Sequence, residues 1–340
     1  MATTADETTT PDPGEIRGQL WELLAGFMRT QAISVAVKLG VPEVVSEEAM
    51  DIAEIARRVD AHEPSLYRLL RFLATEGVFA EVEPRCFTAT PLSNGLRADA
   101  PVSARWLAIM LGSEHYRSWS EALHSFLTGE PAFDRVYGQA YFDYLGAHPE
   151  ESVVFDRAMA TGAVGRAAAL TGYDWTGVER VADIGGGNAT ALATVLSAHP
   201  HLRGTLFDLP TVVGAAEGVL REAGVRDRCE IVGGDFFVDS LPSADVYVLA
   251  QILHDWNDER AQAILRNCRR SLADGGLLLL VEGILPDGPE PDFGKLFDLH
   301  MLVLVGGKER TEGEWRALLR EEAFELLPTS EDGLLEARSV

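Results

Sequence analysis

The 340-residue sequence predicts an α/β fold, a doubly wound and mostly parallel sheet preceded by a largely helical region. Three observations predict it. From Arg180 onward, five short apolar runs alternate with helix-like segments, the pattern of a parallel sheet covered on both faces. The first run closes on Gly185-Gly186-Gly187, and a helix-like segment, Ala189 to Ala198, follows it. Upstream of Arg180 the apolar residues recur mainly at helical spacing.

In chain order, residues 1–15 are acidic, rich in Thr and Pro, and lack a basic-then-apolar signal. They are expected to form a disordered lead-in to a cytoplasmic protein. Gly18 to Leu39 carries an apolar stripe through Leu20, Leu23, Leu24 and Phe27 and stops at Gly40-Val41-Pro42. Asp51 to Val59, Leu66 to Leu73 and two strand-like runs at Val78 to Glu83 and Cys86 to Thr90 read as helix, turn, helix and wing. This places a winged-helix domain at 16–100. Helices from Ser103 to Thr128 and Ala140 to Thr171 fill a linking region, 101–172, and a catalytic domain occupies 173–340. Its strands are expected at Arg180 to Ile184, Gly204 to Asp208, Cys229 to Gly233, Asp245 to Gln251 and Leu277 to Gly283. A hairpin-type pair, Phe324 to Ser330 and Gly333 to Ser339, closes the chain.

A winged helix commonly reads DNA, but the net charge of −24 and Glu76, Glu81 and Glu83 beside the wing oppose nucleic acid and anionic membrane alike. Cys86, Cys229 and Cys268 are isolated, which fits core residues in a reducing compartment. Apolar runs such as Leu277 to Val281 are too short to span a bilayer.

In a βαβ unit the glycine turn meets a ligand at the helix N-terminus, and Asp208 ends the next strand where a carboxylate can grip ribose hydroxyls. An adenosine-type cofactor is therefore expected. For a dinucleotide the third fingerprint position would be Thr190, and no Lys or Arg lies in or just after the turn, which weakens NAD. Asp183 and Asp208 flank the turn instead, a lining suited to a cation such as S-adenosylmethionine. A third apolar run ends in Gly234-Asp235-Phe236, where Asp235 can bond an adenine amino group and Phe236 can cover its face. The fourth strand delivers His254 to the same edge, with Glu282 and Glu309 able to converge on it as a general-base arrangement. A phenol, of pKa about 10, needs such a base before it attacks an S-methyl carbon near neutral pH. His254 and Asp255 have no matching second cluster, so no metal is expected.

Together Val181-Ala-Asp-Ile-Gly-Gly-Gly187, Gly234-Asp-Phe-Phe237, Leu253-His-Asp-Trp-Asn-Asp-Glu259 and Gly306-Gly-Lys-Glu-Arg310 resemble the S-adenosylmethionine-dependent small-molecule O-methyltransferases of plant phenylpropanoid, hydroxyindole and bacterial antibiotic-tailoring type. The resemblance runs from Gly18 to the end and implies a Rossmann-like class I methyltransferase sheet. It also implies that the winged-helix region forms a homodimer. Gly185, Gly186 and Gly187 with Asp183 would hold the methionine end of the cofactor, Asp208 and Leu209 the ribose, and Gly234, Asp235 and Phe236 the adenine; Gln251 would complete the site. His254 would be the base, flanked by Glu282 and Glu309. Phe155, Met159, Asp255, His300 and Met301 would meet a small aromatic substrate, with S-adenosylhomocysteine as product. Some antibiotic-tailoring relatives lack the histidine and methylate by proximity, or have drifted to hydroxylation or decarboxylation, so its retention here implies true methylation. Glu322-Ala-Phe324 departs from the family's usual Ala-Gly-Phe. The readings that stay open are a carboxyl or nitrogen acceptor, a NAD-dependent oxidoreductase and a ligand-responsive winged-helix regulator.

Overall fold

The computed structural model describes residues 12–272, 275–328 and 334–340, in two units that meet between Ser113 and Glu114 in the chain. Most of the expected lead-in and residues 329–333 of the expected closing pair lie outside the described residues. Helix formation begins inside the expected lead-in, at Pro13. There Asp12 caps the chain by accepting from Gly14 N at 2.8 Å, and a first-turn proline needs no amide partner.

The single helix expected over Gly18 to Leu39 is two helices, Pro13–Leu24 and Gly26–Lys38. Ala25 breaks the run just before Gly26, whose conformational freedom weakens a helix interior. After β1 (Met50–Asp51), the helices Ile52–Arg58 and Glu63–Thr75 and the antiparallel β2 (Phe79–Glu83) and β3 (Cys86–Ala89) follow the expected helix, helix, hairpin order. Helix Glu63–Thr75 buries Leu66, Leu70 and Leu73, a stripe at helical spacing, against Ile52, Ile55, Phe79 and Phe87. Helix Pro13–Leu24 buries no residue, and Leu23 is 77% exposed. The helical stretch expected from Ser103 to Thr128 divides at Gly112-Ser113. Arg105–Leu111 belongs to the first unit, Glu114–Trp119 and Ala122–Thr128 to the second.

The second unit adds helices Ala132–Tyr137, which the sequence reading omitted, Tyr141–Ala147 and Pro149–Thr171, the last two separated at His148-Pro149 as expected. Its strands are β4 (Arg180–Ile184), β5 (Arg203–Asp208), β6 (Cys229–Gly233), β7 (Val246–Ala250) and β8 (Leu277–Val281). Two-residue strands β9 (Ile284–Leu285) and β10 (Arg310–Thr311) pair parallel, and β11 (Phe324–Leu326) and β12 (Leu334–Ser339) follow. The seven-stranded sheet runs β11-β12-β8-β7-β4-β5-β6. β4 to β8 are mutually parallel, while β12 joins β8 antiparallel and β11 joins β12 antiparallel. From β4 the chain winds outward through β5 and β6, then returns to lay β7 on the other side of β4. Such a reversal opens a crevice beyond the carboxyl ends of the two central strands.

Both faces of the sheet are covered, as the alternation required. Ile264, Leu265, Trp315 and Leu319 pack on one face, and Leu192, Leu196, Leu220 and Trp175 on the other. At the variant Glu322-Ala-Phe324 the backbone keeps a left-handed turn, with Ala323 at φ 57°, although no glycine supports it.

Candidate active site

β4 ends at Ile184 and the chain turns at Gly185, φ 75°, where a Cβ would stand 2.5 Å from Ile252 Cδ1. At Gly186 a Cβ would meet the Asp183 carboxyl, also at 2.5 Å, so the turn is drawn tightly over that acid. Gly187 N donates to Asp208 Oδ2 at 2.8 Å, and Leu209 N donates to Asp208 Oδ1 at 2.6 Å. These two amides lock the carboxylate at the end of β5 against the glycine turn. Each oxygen keeps a further lone pair, enough to receive a vicinal diol. Gly234 N is tied to Asp208 O at 2.9 Å, and Asp235 accepts from Phe237 N at 2.8 Å. Phe236 approaches the glycine turn, its Cε1 3.7 Å from a Cβ built at Gly185.

The acids of this crevice are held in an unusual state. Burial, then the charge of Asp208, raises Asp183 to about 7, while Arg166 opposes the shift. Burial also raises Asp208, against the pull of its two amides. Arg166 comes from the long helix Pro149–Thr171. Its guanidinium donates to Gln251 Oε1 and, at 3.0 Å, to Met159 O, and its charge acts on Asp183 and Glu282. The sequence reading missed Arg166, because a lone arginine on a helix carries no motif. Gln251 itself stands at φ 56°, a conformation most side chains avoid and one that clusters at functional sites.

β7 ends at Ala250, one residue short of the expected Gln251, and a single turn of 3-10 helix, Leu253–Asp255, carries His254. β8 stops at Val281 rather than Gly283, which leaves Glu282 just beyond the sheet. Glu282 Oε1 accepts from Ile252 N (3.0 Å) and Leu253 N (2.8 Å), so it fixes the histidine's turn rather than bonding the ring. Its Oε2 is buried and has no hydrogen-bond partner among the described residues, and burial raises the group to about 7. Glu309 does bond the ring: Oε1 lies 2.7 Å from His254 Nδ1. Asp255 Oδ1 stands 3.5 Å from Nε2. Burial alone would lower the histidine's pKa, but Asp255, Glu282 and Glu309 outweigh it and lift it to about 10.

A buried arginine joins these loops. Arg310 donates to Leu253 O (3.0 Å), Trp256 O (2.9 Å), Lys308 O (3.1 Å) and Asp258 Oδ1, and lies over Trp315. Lys308 N donates to His254 O at 2.8 Å. The parallel β9–β10 pairing thus returns the Gly306–Arg310 segment to the His254 turn. Phe297 stacks toward His254 at 6.0 Å and His300 toward Phe297 at 5.8 Å. Phe155 packs on Tyr141 and Phe142, and Phe142 on Trp256. Of the five expected substrate residues, Asp255 lies beside the histidine ring, His300 reaches it through Phe297, and Phe155 reaches its turn through Phe142 and Trp256. Met159 contributes its carbonyl to Arg166. Met301 is buried and its carbonyl receives Gly307 N at 3.2 Å, a helix-end role. Among the described residues, no group of three or more His, Cys, Asp or Glu could hold a metal ion.

Buried acids under a glycine turn and a carboxylate-bonded histidine, all at the carboxyl ends of a doubly wound α/β sheet, form an arrangement suited to a group-transfer enzyme. Residues 119–325 match the O-methyltransferase domain family and residues 21–99 the O-methyltransferase dimerisation domain. The chain belongs to this family of S-adenosylmethionine-dependent O-methyltransferases. It is 46% identical over 327 residues to the phenazine O-methyltransferase of Lysobacter antibioticus, covering 94% of this chain and 96% of that one. It is 39% identical to the mitomycin biosynthesis 6-O-methyltransferase of Streptomyces lavendulae, covering 88% and 86%. Among solved structures, an O-methyltransferase of neocarzinostatin biosynthesis superposes with a TM-score of 0.82 at 32% identity, covering 94% of this chain and 98% of that one. It was solved with S-adenosyl-L-homocysteine and 1,4-dihydroxy-2-naphthoic acid. The dimerisation domain match supports formation of a homodimer. No helix among the described residues is long and apolar enough to cross a membrane.

Proposed function

We propose that this enzyme methylates an aromatic hydroxyl of a small molecule in secondary metabolism, of the antibiotic-tailoring kind its relatives' names describe, with His254 as general base. The observation that carries this is the bond between His254 Nδ1 and Glu309, which leaves Nε2, with Asp255 Oδ1 3.5 Å away, as the nitrogen to meet the acceptor. S-adenosylmethionine supplies an electrophilic methyl on a sulfonium, whose C–S bond breaks with its electron pair returning to sulfur. For that donor, Asp208 with Leu209 would receive the ribose, Gly234, Asp235 and Phe236 the adenine, and Asp183 with Gly185, Gly186 and Gly187 the methionine ammonium. Arg166, the cation among these acids, would pair with the methionine carboxylate, and Gln251 would orient it.

His254 Nε2 takes the phenolic proton, and the freed oxygen lone pair forms the new C–O bond. Glu309 holds the ring and stabilises the imidazolium that results. Glu282 fixes the turn, and the aromatic walls align the acceptor and exclude water. Because the surrounding acids make His254 a strong base, it must shed its own proton before it can accept another. Activity should accordingly rise with pH through neutrality. His254→Ala should keep donor affinity while turnover falls by roughly 10²–10⁴ at pH 7. The deficit should shrink as pH approaches the acceptor's own pKa. Wild-type turnover of the variant on a phenolic acceptor would reduce His254 to a structural role. A small loss at every pH would instead indicate a carboxyl acceptor, already ionised at neutrality.

A further inference from the structure

Four side chains, among them His300 in contact with Phe297 and Tyr141 in contact with Phe155, form a hydrogen-bonded series that the proposed proton transfer does not use. Trp119 Nε1 lies 2.9 Å from His300 Nδ1. His300 Nε2 lies 3.1 Å from His115 Nδ1, and His115 Nε2 lies 2.8 Å from the Tyr141 hydroxyl. Its polarity follows from valence. An indole nitrogen only donates, so His300 Nδ1 accepts and is unprotonated. His300 must then carry its hydrogen on Nε2, since an imidazole bare at both nitrogens would be an anion. His115 Nδ1 therefore accepts, and its Nε2–H donates to the Tyr141 oxygen. Burial holds both histidines in the neutral form this requires: it lowers His115, helped by the charge of His300, and brings His300 to about 4.

The series ends on a tyrosine that cannot return its own hydrogen to His115. No described residue accepts that hydrogen, although Tyr141 is only 3% exposed. Burial, then the charges of Glu114, Asp255 and Tyr144, raises the phenol well above its usual range, so the hydrogen stays in place. Tyr141 packs on Phe155 and Phe142, and Phe142 packs on Trp256 beside the His254 turn.

We propose that Tyr141 is a specificity-determining residue, whose hydroxyl hydrogen, oriented by the Trp119–His300–His115 series, donates to a neutral acceptor atom on the ring system that carries the methylated hydroxyl. The acceptor class is an aromatic ring nitrogen or a carbonyl oxygen. A carboxylate is disfavoured, because Glu114 and Asp255 already set negative charge around this hydroxyl. The inference rests on the aromatic-hydroxyl reading above and adds a second polar feature to the substrate.

The test uses the full-length enzyme saturated with S-adenosylhomocysteine and measures binding of naphthol, hydroxyquinoline isomers and hydroxynaphthoates by calorimetry. Turnover with S-adenosylmethionine is followed in parallel. At least one hydroxyquinoline should bind roughly three- to tenfold more tightly than naphthol, the range of a neutral hydrogen bond. Tyr141→Phe should bring that ratio toward one. Trp119→Phe should lower the same ratio, because without the obligate donor the histidines can reverse and accept the tyrosine hydrogen. That response separates orientation from mere packing at Tyr141. A ratio that survives Tyr141→Phe, or hydroxynaphthoates ahead of every hydroxyquinoline, overturns the assignment while leaving naphthol methylation as evidence for the aromatic-hydroxyl reading. If no hydroxyarene is methylated, that reading falls and this one with it.

Discussion

The two units are incomplete in opposite ways. In the unit ending at Ser113, what lacks a partner is apolar: Leu20, Leu23 and Leu24 stand in solvent while the core behind them is closed around Leu70 and Phe79. In the unit from Glu114 onward both faces of the sheet are covered, exposed apolar side chains such as Leu127 and Phe293 lie on its helices, and what lacks compensation at the strand ends is charge. Asp183, Asp208, Glu282 and Glu309 are gathered near half-buried Arg166, whose charge acts on Asp183 and Glu282, and buried His254, whose ring Glu309 bonds. An apolar deficit is met by area, so a second copy of the same helix suffices, and the dimerisation match fits that remedy. A charge deficit is met only by a ligand of the right sign and shape. The dimerisation family match answers the first deficit, and the proposed methyl donor would answer the second.

The largest effect should come from Arg310→Met, which abandons three backbone carbonyls and Asp258 at once. Loss of one member of a buried ion pair costs about 3–5 kcal/mol, tempered here because Asp258 is half exposed. Chemical denaturation should show that loss in the second unit. Donor affinity surviving alongside a collapse of turnover would place the damage at the His254 turn. Asp208→Ala should come next, removing charged acceptors worth about 1.5–3 kcal/mol per ribose hydrogen bond. Calorimetry with S-adenosylhomocysteine that returns wild-type affinity would sink the ribose assignment.

The double variant Leu23→Lys, Leu24→Lys sharpens the other side of the comparison. Each side chain buried between copies contributes about 1.5–3 kcal/mol, so the variant should be monomeric at micromolar concentration with its own unit still folded. A dimer that persists in light scattering would move the interface elsewhere. The smallest effect is a pH slope. Asp183 and Glu282 have folded pKa values raised to about 7 from the ordinary carboxyl range. Their protonated forms favour folding, so stability from these groups is full below about pH 4 and is lost as pH rises through 7. The melting temperature of the donor-free enzyme should fall between pH 5 and 8, and Asp183→Asn should flatten that fall. An unchanged slope in the variant would show that other groups govern it.

What the sequence made legible was whatever sits at a strand end. Gly185, Asp208, Asp235 and His254 terminate apolar runs, and a run that stops on a polar residue marks an edge without any knowledge of packing. Glu309 was legible through its motif and Glu282 through its strand, though not the detail that Glu282 grips amides instead of the ring. Arg166, His115, Trp119 and Tyr141 were not legible. They lie on helices whose periodicity shows which face is apolar but not which polar side chain turns inward, and their partners are distant in sequence. Helix Ala132–Tyr137 was missed because Pro131 and Gly138, its two boundaries, are also the marks of a loop.

The hold of Lys308 on the His254 carbonyl has a consequence for the order in which the protein comes into being. β4 to β8 and the glycine turn are synthesised before residue 282. The acid that steadies the histidine, and the arginine that ties down its loop, emerge only with residues 308–310. The contacts that hold the His254 turn therefore form only after the C-terminal segment has emerged, and the same segment brings Trp315 and Leu319 to the core face of the sheet.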